Sequence, residues 1–244
     1  MERAAKAARA GNRILSLIAV MMILLLLLYG GYSLWDTAMA YRGAFVSSDL
    51  LQYKPTGGES GNLSLAELQK INPDVCAWLT VDDTHIDYPV VRGEDDMEYI
   101  NKDIFGEFAL SGAIFLDSRN SADFSDRYCL VYGHHMDNGA MFGDIVEFAE
   151  KDYFTAHKTG TLYRIGETYK ITLFACVEVD ASDNIVYNPE AQNETVNTLL
   201  DRIQEKAVQY RDIGTDADDH IIGLSTCAEA ETNGRVVVFG RLDK

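Results

Sequence analysis

The chain is poor in cysteine, and it is poor in positive charge beyond its first residues. Its four cysteines are Cys76, Cys129, Cys176 and Cys227. No two are spaced as C-x-x-C, which argues against a zinc ribbon or a thioredoxin-type site. Cys129 and Cys176 lie inside the apolar, strand-like runs YCLVYG and ITLFACVEV, where a thiol behaves as a small buried hydrophobe. Lys and Arg number 21 against 38 acids, a net charge of −17. The first fifty residues hold five of those bases and three of those acids, so the remainder carries 16 against 35. A domain that acidic repels phosphate backbones, and no nucleic-acid partner is expected. The acidic loops DSRNSADFSD and TDADDH lack the ligand spacing of an EF-hand, so neither a metal nor another cofactor is expected. There is no internal repeat.

Charge is also missing from Ile14 to Trp35, a run of 22 residues. As a helix it would extend about 33 Å, enough to cross a bilayer core of about 30 Å. Arg3, Lys6, Arg9 and Arg13 precede it with one acid, Glu2. The positive-inside rule then keeps the amino terminus in the cytoplasm and puts the rest outside. Ala38-Met39-Ala40 has the small-x-small form of a cleavage site, but the apolar run exceeds the roughly 7–15 residues of a signal-peptide core. The expected organisation is a basic cytoplasmic tail (1–13), a single-pass anchor (14–35), a stalk (36–62) and an extracytoplasmic catalytic domain (63–244).

What is present, at 47% hydrophobic and 24% charged residues, is a globular domain with a strand-rich pattern. SLAELQKINP reads as a short helix with a Ser64/Glu67 capping box and Pro73 as its stop. Eight short apolar or alternating runs follow: VCAWLTV, THIDYPVV, SGAIFLD, RYCLVYGHH, GTLYRI, ETYKITLFACVEV, HIIGLSTC and RVVVFGRL. Gly, Asp and Asn bound them, the pattern of a closed or nearly closed barrel. Two helices interrupt the strands, MFGDIVEFAEKDYF and Glu194–Tyr210. The second carries Val196, Leu199, Leu200, Ile203 and Ala207 on one face as a core stripe. The fold class is therefore mainly β, an eight-stranded barrel with a few helices behind one transmembrane helix.

The chemistry-bearing residues sit at strand ends. Asn233-Gly234 is a strong hairpin signal, which pairs the strand ending at Cys227 with the strand starting at Arg235. A guanidinium beside a thiol can lower its pKa or bind the oxyanion formed when a thiolate attacks a carbonyl. The polar loop between them, AEAETNG, would form a substrate rim. Of five histidines, His134 and His135 end a buried-looking strand directly after Gly133. A strand-end His, a strand-end Cys and a strand-start Arg together form an acid–base, a nucleophile and an oxyanion donor, the parts acyl transfer requires. By period two, Ser225 shares the face of Cys227. Ser225, Thr226 and the apolar island holding Ile185 and Tyr187 are the candidate substrate contacts.

YGHHMDNGAMFGDI, LSTC and NGRVVVFGRL, in that order, resemble the signature segments of sortases. INPDVCAWLTVDDTHIDYPVVRGEDDMEYI and SGAIFLDSRN resemble the amino-terminal part of class B sortases, and the likeness covers about residues 64–242. The resemblance implies a membrane-anchored cysteine transpeptidase of Gram-positive bacteria. Cys227 would attack the Thr carbonyl of a C-terminal sorting signal and form a thioester. His134, the histidine directly after the Gly, would move the protons, and Arg235 would hold the oxyanion or the peptide. The acceptor would be an amine of a peptidoglycan precursor or a pilin lysine. Two rivals are a cysteine endopeptidase of the two-barrel type, which acts without transfer and usually carries Gly-x-Cys-Gly, and a surface-anchored binding domain with an incidental Cys.

Overall fold

The computed structural model describes residues 2–41, 44–56, 62–227 and 233–244, in two compact units, Met1–Tyr41 and Arg42–Lys244. The first is one helix, α1 (Glu2–Tyr41). Its segment Arg9–Met39 is long and apolar enough to cross a membrane. The large apolar side chains around its middle are exposed; Leu28 is 71% exposed. A helix apolar on every face is suited to lipid rather than to water.

The second unit opens with α2 (Ser48–Leu51), whose first turn is capped by Ser47: its Oγ accepts from the Leu50 amide at 3.3 Å. Next comes α3 (Leu63–Ile71). It starts one residue before the expected capping box, so Ser64 lies inside the first turn and does not cap. Asn62 holds the N-cap position in the left-handed region, φ 57°, a conformation Asn tolerates better than most residues. Its side-chain amide is spent across the fold, on the Arg164 and Glu167 carbonyls and Thr168 Oγ1. The helix does stop at Pro73: Asn72 before it is extended, as a residue preceding proline is pushed to be.

The strands are β1 (Val75–Val81), β2 (Asp87–Val91), β3 (Ile114–Leu116), β4 (Tyr128–Tyr132), β5 (Thr159–Arg164), β6 (Glu167–Asp180), β7 (Ala207–Tyr210), β8 (Ile221–Cys227) and β9 (Gly234–Asp243). They pair in the order β5-β1-β2-β3-β4-β8-β9-β6, and a β5–β6 pairing closes the circle into the expected eight-stranded barrel. All contacts are antiparallel except β2–β3 and β4–β8. The short β7 lies outside the circle on the second half of β6, Ala175 opposite Tyr210.

Period two decides what lies inside. Cys129 and Val131 of β4, Ile171 and Leu173 of β6, Ile222 and Leu224 of β8, and Val236 and Val238 of β9 fill the barrel. Their neighbours Tyr128, Leu130, Phe174, Val177, Ile221, Val237 and Phe239 face outward onto α5 (Asn197–Lys206), which buries Leu199, Leu200 and Ile203 there. Strands buried on both faces read as continuous apolar runs, which is why YCLVY and VVVFG show no polar alternation. Cys129 and Cys176 are free, fully buried thiols, as expected. Burial pushes the Cys176 thiol up to about 12 and the Cys129 thiol well above its ordinary value.

Two helix expectations are corrected. The helix expected over Glu194–Tyr210 ends at Lys206, and its last four residues are β7. The unpaired edge of β6 offers Ala-Val-Gln-Tyr a ladder, and tertiary pairing overrides weak local preference. The segment MFGDIVEFAEKDYF is not one helix. It is a 3-10 turn over Gly143–Ala149 and then α4 (Lys151–Ala156), separated at Glu150, which is extended.

Candidate active site

The two parallel and antiparallel neighbours of β8 explain why distant residues meet. Because β4 and β8 run parallel, their carboxyl ends reach the same rim of the barrel; because β9 runs antiparallel to β8, it begins there. Tyr132 pairs with Ser225, and each lies two residues before its candidate, His134 and Cys227. The pairing continues one step further, with the Gly133 amide donating to the Ser225 carbonyl at 3.2 Å. On the other side of β8, Cys227 pairs with Arg235, so the two strands are partners as expected. Of the expected substrate rim, AEAETNG, residues 228–232 lie outside the described residues.

Gly133 has no room for a side chain. A Cβ there would stand 2.5 Å from Ile114 Cδ1 and 2.7 Å from Phe142 Cγ. His134 follows it, half-buried, with its Nε2 2.8 Å from the Ile100 carbonyl oxygen. The Phe142 amide donates to the His134 carbonyl at 3.0 Å and ties the backbone down. His135 is directed elsewhere, with Nε2 3.3 Å from Asp137 Oδ1.

These elements border a groove of about 530 Å³. His134, Ser225, Thr226, Tyr187 and Arg235 all line it, with Met97 and Ile100 from the β2–β3 connection. Ile185 does not; it is half-buried and packs against the core beneath α5. Thr226 is buried, and its Oγ1 has no hydrogen-bond partner among the described residues; an unmet buried hydroxyl costs about 1–3 kcal/mol. Ser225 Oγ lies 3.0 Å from Tyr187 Oη. Arg235 is half-buried and donates from Nη1 to the Gly234 carbonyl at 3.0 Å.

Sequence reasoning missed the wall of this groove. The Tyr132 ring stacks on Tyr187, centroids 6.4 Å apart and planes 10° from parallel. Tyr132 Oη donates to Asp117 Oδ2 at 2.8 Å. Asp117 is fully buried and takes a bidentate pair from Arg119, Nε to Oδ1 at 2.8 Å and Nη2 to Oδ2 at 2.6 Å. Arg119 Nη2 also donates to the Tyr187 carbonyl at 3.0 Å. The Asp117 hydrogen bonds push the Arg119 pKa up, and burial followed by the Asp117 charge pushes Tyr132 far up. Two aromatic rings are thus pinned by one ion pair whose carboxylate is buried and whose guanidinium is partly exposed. The only trace in the sequence is the Asp-x-Arg of FLDSRN.

The likenesses to known proteins fit this arrangement. Residues 79–243 match the Sortase domain family. Sortase B of Listeria monocytogenes is 34% identical over 181 residues, 73% of this chain and 73% of that one. A crystal structure of a Streptococcus pyogenes class B sortase involved in pilus biogenesis superimposes with a TM-score of 0.68 at 44% identity, covering 73% of this chain and 97% of the other. A Staphylococcus aureus sortase B–substrate complex gives a TM-score of 0.69 at 28% identity, covering 76% and 87%. The chain therefore belongs to the sortase family, and so is a cysteine-type transpeptidase. Within that family it is of the class B type. One closed barrel also removes the two-barrel endopeptidase reading.

Proposed function

We propose that the chain cleaves a C-terminal sorting signal of secreted proteins and transfers the acyl part to an amine. In this reading Cys227 gives its proton to His134 and attacks the Thr carbonyl of the signal. The oxyanion collapses as His134 returns that proton to the departing amine; the C–N bond breaks and a thioester remains. An incoming amine then loses a proton to His134, attacks the thioester and displaces the Cys227 sulfur, which recovers the proton. Arg235 stabilises the oxyanion or aligns the peptide backbone. Ser225, Thr226 and Tyr187 contact the peptide, with the Thr226 hydroxyl acquiring its missing partner.

The observation that carries this reading is the shared rim: β4 parallel to β8, and Cys227 opposite Arg235, over a groove that His134 lines. The S. aureus sortase B–substrate complex supports a substrate bound by this fold. The acceptor is an amine of a peptidoglycan precursor, and the pilus-linked S. pyogenes relative favours a pilin lysine as the second choice. The proposed placement is a single-pass anchor at 14–35 with the basic tail 1–13 in the cytoplasm and residues 63–244 outside, after a stalk at 36–62. Protease added to wall-stripped cells should digest the domain and spare a membrane fragment; a mature chain beginning at Tyr41 would contradict the anchor.

The test of the chemistry uses the full chain in detergent micelles with peptides spanning the C-terminal signals of secreted proteins from the same genome. Mass spectrometry should find an acyl adduct on Cys227 that disappears on addition of a peptidoglycan-type amine or a lysine peptide, with the transfer product appearing. Cleavage without any adduct on Cys227 would sink the reading.

A further inference from the structure

His134 is oriented by a main-chain atom. A carbonyl oxygen carries only lone pairs, so the ring nitrogen facing the Ile100 oxygen at 2.8 Å must be the one bearing hydrogen. A neutral imidazole has a single N–H, which leaves the lone pair on Nδ1. We propose that the Ile100 carbonyl is the positioning group for His134, fixing the ring and its Nε2–H tautomer so that Nδ1 is the atom that takes and returns protons. This rests on the acid–base role given to His134 above. Among the described residues, the polar groups nearest in sequence are engaged elsewhere: Asp137 with His135, and Asn138 Oδ1 with the Ala140 amide. A neutral carbonyl holds the ring through either protonation state, since the Nε2–H persists in both.

The β2–β3 connection is constructed around that carbonyl. Tyr99, the preceding residue, is held at three points. Its Oη donates to Asp74 Oδ2 at 2.6 Å and accepts from Asn72 Nδ2 at 3.0 Å, and its carbonyl accepts from the Ala113 amide at 3.1 Å. Asn72 Nδ2 reaches the Ile104 carbonyl as well, at 2.8 Å. From the other side Gly112 closes on the same spot with φ +61°. A Cβ at Gly112 would overlap the Ile100 carbonyl oxygen and stand 2.8 Å from the Tyr99 oxygen. Any side chain at 112 must therefore displace the oxygen that His134 uses. Gly106, in the same connection, also has a positive φ of +81°, but an added Cβ there meets nothing within 4 Å. The two glycines separate backbone strain from displacement of the carbonyl.

The test has two arms. In the full chain labelled with 15N-histidine in micelles, the His134 ring resonances are assigned by their loss in His134→Gln and followed through a pH titration. The neutral form should show a protonated Nε2 and an unprotonated Nδ1. In the second arm, Gly106→Ala reports the cost of the positive φ alone, and Gly112→Ala should lose more stability because its Cβ also meets two backbone oxygens; both are compared as folded protein. Only Gly112→Ala should lose kcat, by on the order of 10²-fold as expected for an ångström-scale misplacement, with KM little changed and the Nε2–H signature gone. A neutral His134 protonated on Nδ1 in the wild type overturns the proposal. So does a folded Gly112→Ala whose kcat equals that of Gly106→Ala. If Gly112→Ala does not fold, the wild-type tautomer decides. Full activity in His134→Ala would instead remove the acid–base reading, whatever the tautomer.

Discussion

Replacing Asp117 by Ala perturbs the groove at its buried support. Asp117 is fully buried and receives both ends of the Arg119 fork together with the Tyr132 hydroxyl. Breaking a buried ion pair from one side costs about 3–5 kcal/mol, because the other charge is left unpaired. The Arg119 side chain is 36% exposed, so water takes up part of that loss and the low end, about 3 kcal/mol, applies. The stranded Tyr132 hydroxyl adds about 1 kcal/mol. For a domain of this size a loss of about 4 kcal/mol lowers Tm by roughly 10 °C. Thermal unfolding followed by the fluorescence of the buried Trp78 reads the first quantity. Peptide cleavage reads the second: KM should rise, because Tyr132 and Tyr187 lose their pinning, while kcat changes little. The combination Asp117→Leu, Arg119→Met, Tyr132→Phe should recover most of the stability, since an apolar set can replace a buried ion pair at little cost, but not the low KM. A Tm within about 2 °C of wild type in Asp117→Ala, which corresponds to less than about 1 kcal/mol, together with an unchanged KM, would refute the reasoning.

Other outcomes follow from the same structure. Ile203→Ala, on the buried face of α5, should cost about 2–5 kcal/mol in urea unfolding and leave kcat of the remaining folded protein unchanged. At pH 8 iodoacetamide should spare Cys129 and Cys176 in the native protein, because burial holds both thiols neutral and covered; peptide mapping before and after denaturation checks it. Arg235→Lys keeps the charge but not the planar fork, and should lower kcat on the order of 10²-fold with Tm nearly unchanged.

Much of this was legible in the sequence, for physical reasons that can be located. Strands buried on both faces announce themselves as apolar runs, so the eight barrel strands stand out, and the strands of Cys227 and Arg235 pair as expected. The four residues of β7 did not stand out. They follow an amphipathic helix without a breaker, and only the free edge of β6 makes them a strand. Ser64 and Glu67 have capping-box spacing, yet the helix starts at Leu63, behind an Asn62 whose amide is engaged far along the chain. The Asp117–Arg119–Tyr132 support is a contact between strand ends, which no local spacing encodes. The Ile100 carbonyl is further from view still, because every residue has a carbonyl and only the fold says which one faces the histidine.

In the proposed mechanism, His134 and Cys227 act as one unit. The most direct measurement is the rate of leaving-group release from a signal peptide by folded Cys227→Ala, His134→Ala and the double variant, with His135→Ala as control. Cys227→Ala should abolish release and His134→Ala should lose several orders of magnitude. The double variant should be no slower than the worse single one, as residues sharing one step are strongly non-additive, and His135→Ala should stay near wild type. Release at the wild-type rate by folded Cys227→Ala, or a loss in His135→Ala equal to that in His134→Ala, would contradict it.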